Sequence, residues 1–132
     1  MYGVDINNKK KVKKILNDIF EKNKFNFFDL IIDDGSHNLS DMLLSFNFFF
    51  HYLNNEGIFV IEDFKHPNYY QYNRNINHIL IDEFLKNLEN KKLFNSSIVS
   101  QENQKYLMNV IKKIDIYKGN LKNSDICFIK KK

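Results

Sequence analysis

The chain has little of several things. It holds one cysteine, one proline, four glycines and no tryptophan in 132 residues. A single thiol, Cys127, excludes an intramolecular disulfide framework. It stands in an apolar alternation near the C-terminus and is expected to be a small core residue. No apolar run approaches the roughly 20 residues that a helical bilayer crossing needs. The first residues turn polar by Asn7, so a secretory signal is not expected, and the expected setting is cytoplasmic. No internal repeat and no separate low-complexity segment is visible.

What is present is a core. Hydrophobic residues make up 43% and aromatics 15%, with 13 phenylalanines. That composition is globular rather than disordered, and the length fits one domain, residues 1–132. Asn and Lys dominate the polar positions, as an AT-rich coding bias would produce. The net charge of +4 comes partly from Lys9–Lys11, Lys13, Lys14 and Lys130–Lys132. No aromatic-basic interleaving accompanies these runs. They read as solvated lysines, and neither a nucleic acid nor a membrane is expected as a partner.

Periodicity orders the elements. Residues 2–6 form a short strand candidate. Asn7 or Asn8 can cap a helix over residues 10–22, whose Val12, Ile15, Leu16, Ile19 and Phe20 recur at three and four. Residues 27–33 are a second strand. Asn38 or Ser40 caps a helix over residues 39–53 that is apolar on more than one face and hence largely buried. Gly57 suits the positive φ that would end it, and residues 58–62 are a third strand. This strand–helix–strand run is a βαβ unit. A polar, tyrosine-rich loop follows over residues 66–77, then a helix over 79–88. Residues 93–104 read as irregular. Alternating runs at 112–117 and 125–130 around Lys118-Gly119-Asn120 make an antiparallel hairpin.

The chemistry lies at two strand ends. Leu30-Ile31-Ile32 runs into Asp33-Asp34-Gly35-Ser36-His37, and Ile58-Phe59-Val60-Ile61 runs into Glu62-Asp63. An ionised carboxylate is costly to bury unless paired or bound to a cation, so both acid pairs belong to loops leaving the sheet. In an open parallel sheet such loops bind ligands. Asp34 and Glu62 are 28 residues apart (62 − 34), about one crossover, so neighbouring strands would bring Asp34, Glu62 and Asp63 together. Three carboxylates that close repel one another unless a cation joins them. An all-oxygen set suits Mg²⁺, Ca²⁺ or Mn²⁺. His37 would then take the proton from a substrate hydroxyl, since an unperturbed imidazole titrates near neutrality. The plainer alternative is that Asp-Gly is a turn and Asp33 or Asp34 a helix cap. His51 reads as a packed or edge residue, and His66 and His78 as surface loop or helix-start residues. Tyr69, Tyr70 and Tyr72 either line a substrate mouth or are ordinary loop tyrosines.

Phe28 to His37, followed by Gly57 to Phe64, resembles the metal-dependent sugar O-methyltransferases of macrolide biosynthesis and the related cephalosporin-hydroxylase-like group. These are class I S-adenosylmethionine (SAM) methyltransferases. The resemblance implies an α/β fold: a partial Rossmann-like sheet of parallel strands closed by a C-terminal antiparallel hairpin, here residues 114–129. It implies Mg²⁺ on Asp34, Glu62 and Asp63, and His37 as the base. Asp5 would lie on the SAM ribose, with Asp33 also on the cofactor side. The substrate would be the hydroxyl of a sugar or other small molecule. The sequence departs from the family before the Asp5 strand, where a strand and glycine-rich loop are lacking. Only one helix separates Asp5 from the Asp-Asp-Gly strand. The chain therefore reads as truncated, with the metal side kept and the cofactor side mostly missing. A missing central strand leaves a sheet edge for residues 2–6, a second copy or a partner chain to cover. Two other readings stand beside methyl transfer. One is a non-catalytic remnant or accessory domain that works through association. The other is a metal-dependent hydroxylase or hydrolase, and a hydroxylase would want two histidines and one carboxylate.

Overall fold

The structure, a computed structural model, describes residues 5–132. Helix α1 (Lys9–Asn23) leads to strand β1 (Phe28–Asp33), helix α2 (Leu39–Phe49) and strand β2 (Leu53–Ile61). A short helix α3 (His66–Tyr69), then α4 (Ile81–Glu89) and α5 (Gln101–Val110), precede strands β3 (Ile111–Tyr117) and β4 (Ile126–Lys131). The sheet order is β1-β2-β4-β3. Strands β1 and β2 are parallel, and both pairs involving β4 are antiparallel. This is the expected α/β sheet with a parallel pair and a closing hairpin.

Local sequence accounts for most elements. Asn8 caps α1 by accepting from the Lys11 amide at 3.1 Å, and Val12 and Leu16 of its stripe are buried. Asn38 occupies the N-cap of α2, but its side chain accepts from no helix amide. Its Oδ1 accepts instead from Asn73 at 3.2 Å, and Asn75 supplies the acceptor for the Ser40 amide at 3.1 Å. The α2 cap therefore comes from the loop 73–75 rather than from its own N-cap side chain. The helix ends at Phe49, and residues Phe50–Tyr52 tighten into a 3₁₀ turn.

Three expectations are corrected. Strand β2 begins at Leu53, not at Ile58. Asn54 to Gly57 forms a bulge within it, where the pairing jumps from Phe28–Leu53 to Leu30–Ile58. No described glycine has positive φ; Glu56 takes it instead, at 62°. Lys112 and Lys130 hold the Glu56 carboxylate at 2.7 and 2.8 Å and lower its pKa to about 2. Gly57 is required for closeness, since a Cβ there would stand 2.9 Å from the Asn54 carbonyl oxygen. Residues 101–104, expected to be irregular, open helix α5, which Ser100 caps through the Asn103 amide at 3.2 Å. The strand expected over residues 2–6 falls mostly outside the described residues. Its described end is a turn in which Asn8 donates to the Asp5 carbonyl at 2.9 Å.

The core lies against one side of the sheet. Phe46 of α2 sits at its centre, with ring centroids 4.9 Å from Phe50, 5.2 Å from Phe59 and 5.5 Å from Phe84. Cys127 is fully buried, as expected, and burial pushes its thiol up to about 12. Among the described residues the other side is open. Leu30 and Ile32 of β1 are each 54% exposed, and Ile58, Tyr117 and Phe128 line a shallow groove there. Strand β1 is an edge of the described sheet.

Candidate functional site

The two acid-tipped strands are neighbours. Asp33 stands opposite Ile61 in the parallel ladder, and the Glu62 amide donates to the Asp33 carbonyl at 3.0 Å. The loops carrying Asp34 and Asp63 therefore leave the sheet side by side at its carboxyl end.

Each loop holds its side chains in a strained backbone. His37 has φ 55° and Asp63 has φ 50°, a region costly for residues with a Cβ. Burial anchors both loops. Leu39 and Phe64 are fully buried on either side of the site, and Pro67 starts α3 in the interior. The Ser36 hydroxyl donates to Asp41 at 2.6 Å, and the Asn73 amide group donates to the Ser36 carbonyl at 3.2 Å. The first acid loop is thus tied to the segment that follows α3.

Four side chains come together. His37 Nε2 is 3.8 Å from Asp34, and His66 Nε2 is 3.8 Å from Asp63. The two imidazole centroids are 4.7 Å apart. The Asp34 carboxylate is mostly exposed, while both histidines are about one-fifth exposed. His66 reads from sequence as a helix-start residue; it is one, and it is also the second imidazole of this cluster. The signal that finds it is a repeat, Asp34-x-x-His37 and Asp63-x-x-His66. It acquires meaning only once the two strands are adjacent. The second histidine that a hydroxylase would want is thus present at His66.

The remaining candidates are placed differently. Glu62 is half-buried and, among the described residues, its carboxylate makes no ion pair. Asp33 lies beneath the cluster beside Ser45. Burial raises its pKa, against the Ser45 hydroxyl and the charge of His37, and its Oδ2 has no partner. With Leu30, Ile31 and Ile32 it lines a groove of about 290 Å³ along β1. Asp5 is fully exposed, and its Oδ1 accepts from the Asn7 backbone and side chain at 2.9 Å each, which lowers its pKa. Tyr70 packs 5.1 Å from His66, and Tyr72 packs on Tyr70 but is largely exposed. His51 is the edge residue expected: it stacks on Tyr106 at 4.5 Å and bonds Asn103 at 2.8 Å. His78 is bound by the hydroxyls of Ser96 and Ser97.

The donor chemistry suits a hard cation, because Asp34, Glu62 and Asp63 offer carboxylate oxygens with no lysine or arginine bound to them. In their present rotamers, no three His, Cys, Asp or Glu side chains among the described residues are grouped so as to hold an ion. Asp34 and Asp63 lean on their histidines instead.

This sheet, with its parallel pair and terminal hairpin, is a methyltransferase-like fold. The solved structures that carry it include the MycE methyltransferase from the mycinamycin biosynthetic pathway, in complex with Mg, SAH and mycinamycin VI. That structure is 21% identical, with a TM-score of 0.68, over 98% of this chain and 31% of its own. A second MycE structure, with Mg and SAH, is 22% identical with a TM-score of 0.67, over 98% and 32%. The chain spans about a third of the length of the solved structures it matches. No family model and no curated protein matches it. Among the described residues no helix is long and apolar enough to cross a membrane.

Proposed function

We propose that this chain is the acceptor-binding side of a SAM-dependent, Mg²⁺-assisted O-methyltransferase acting on a small-molecule hydroxyl, with a sugar as the preferred class. The observation that carries this reading is the pairing of β1 with β2. It sets the Asp34-x-x-His37 and Asp63-x-x-His66 loops side by side at the carboxyl end of a methyltransferase-like sheet. The MycE complexes, with Mg and SAH, support the same cofactor pair.

Asp34, Glu62 and Asp63 would hold the cation once their side chains turn from the histidines. A cation there stabilises the negative charge that develops on an acceptor oxygen. His37 accepts the hydroxyl proton at Nε2. Phe64 and Pro67 fix the second loop from beneath, and Tyr70 walls the site beside His66. Asp33 and Asp5 would serve the cofactor, with Asp5 on its ribose.

Calorimetric titration with SAM, with and without Mg²⁺, tests the reading. Heat that depends on Mg²⁺ supports it. No heat in either arm favours the second reading, a domain that works by association. The position of β1 at the edge of the described sheet, with Leu30 and Ile32 half-exposed, supports that alternative.

A further inference from the structure

The connection between β3 and β4, residues 118–125, reaches across to α3 by three side-chain contacts. Asp125 pairs with Lys65 at 2.7 Å. The Lys122 ammonium lies 4.8 Å above the centre of the Tyr69 ring. The Asn123 side-chain Nδ2 meets His66 Nε2 at 2.8 Å.

The third contact fixes a proton. An amide nitrogen only donates, so His66 Nε2 accepts, and in the neutral ring the proton resides on Nδ1. The Asp63 carboxylate, 3.8 Å from the same Nε2, lies beyond hydrogen-bond reach and does not compete. The His66 ring then has Tyr70 at 5.1 Å and His37 at 4.7 Å. It is held by the hairpin connection, supported by a tyrosine, and packed against the candidate base.

We propose that His66, with its tautomer set by Asn123, is a positioning residue for His37. It gives the His37 ring a surface to lie on, 4.7 Å between ring centres, and so holds that ring in one orientation. Neither His66 nor Asn123 needs to touch a reacting atom. Their effect is to hold the base in one orientation, on which proton transfer within a site depends. The proposal rests on the reading of His37 as the base, and it gives the otherwise remote hairpin connection a role at the site.

The test is long-range ¹H–¹⁵N NMR of the histidine rings in the full chain, uniformly labelled, at a pH where the rings are neutral. The expected wild-type result is His66 protonated on Nδ1. Asn123→Leu removes the donor and should turn that single tautomer into a mixture while displacing the His37 ring signals. Asn123→Asp puts an acceptor in its place and should bring a proton to Nε2. His66→Phe, which keeps a ring against His37, should leave the His37 signals closer to wild type than His66→Ala does. A wild-type His66 protonated on Nε2 alone overturns the proposal. So do His37 and His66 signals that stay in place in both Asn123 variants. If Asn123→Leu fails to fold, the wild-type tautomer and the His66→Phe comparison decide. The readout is independent of SAM: a chain that binds no SAM yet gives the expected spectra loses the methyltransfer reading and keeps this coupling. A chain that binds SAM and gives unchanged spectra does the reverse.

Discussion

The amide of Glu62 donates to the carbonyl of Asp33 across 3.0 Å. This bond continues the β1–β2 ladder by one step and is the last tie before the two acidic loops diverge. The distance between Asp34 and Asp63 is therefore governed by strand pairing and not by loop flexibility.

Asp34→Asn and Asp63→Asn should each weaken Mg²⁺ binding by roughly tenfold to a hundredfold, since removing even an outer partner of a metal site costs that much. Calorimetry with MgCl₂ on each variant measures it. Equal affinity in all three proteins would rule these carboxylates out as ligands.

Lys65 and Asp125 tie the hairpin connection to α3. The Asp125 pKa is held below the ordinary carboxylate value chiefly by the hydrogen bond from Lys65. Its contribution is thus present above about pH 3.9 and is lost as pH falls through the depressed value. The Lys65 pKa is raised by the same bond, so its share persists through the neutral range and disappears only at strongly alkaline pH. Asp125→Asn should cost roughly 1–3 kcal/mol at neutral pH and flatten the acid limb. Urea unfolding at a series of pH values reads both effects.

Leu30 and Ile32 face outward on the edge strand. Leu30→Lys and Ile32→Lys should change the stability of the isolated chain by no more than about 0.5 kcal/mol and, if this edge pairs with another copy, should weaken that pairing, because charged edges resist it. Light scattering beside thermal unfolding separates the two effects. A large loss of stability would mean that this face is covered in solution.

Phe59 is fully buried with its ring against Phe46 and Phe50. Phe59→Ala should cost about 3–5 kcal/mol, a large part of the stability of a domain this size. Denaturant titration followed by near-ultraviolet circular dichroism measures it.

Gly57 lies in the β2 bulge with no room for a methyl group. Gly57→Ala should destabilise by about 1–3 kcal/mol and disturb the β1–β2 register. Amide exchange at Leu30 to Asp33 checks whether the site loops shift with it.

Much of the fold was legible because strong periodicity is decided locally. The stripe of α1, the apolar run of β1 and the alternation of β3 and β4 each point to one element. The start of β2 was not legible. Asn54-Asn55-Glu56-Gly57 has the chemistry of a turn, and the contacts that hold it as a bulge come from residues distant in sequence, Asp29, Lys112 and Lys130. Helix α5 was missed because Gln101 to Lys105 offers no apolar stripe; its burial rests on Gln104, Leu107 and Met108. Asp34, His37, Glu62 and Asp63 were legible as candidates from acids at strand ends. His66 was not, since its partner is 29 residues away (66 − 37) and the contact exists only through the sheet.

Strand β4 is the latest of the described strands in sequence, yet it sits inside the sheet between β2 and β3. During synthesis β2 must therefore wait, one flank bare, until Cys127 and Ile129 emerge to fill the gap. Closure of the sheet is a late, long-range event, the kind of contact pattern that slows folding. Until it happens, the nascent protein displays unpaired β surface.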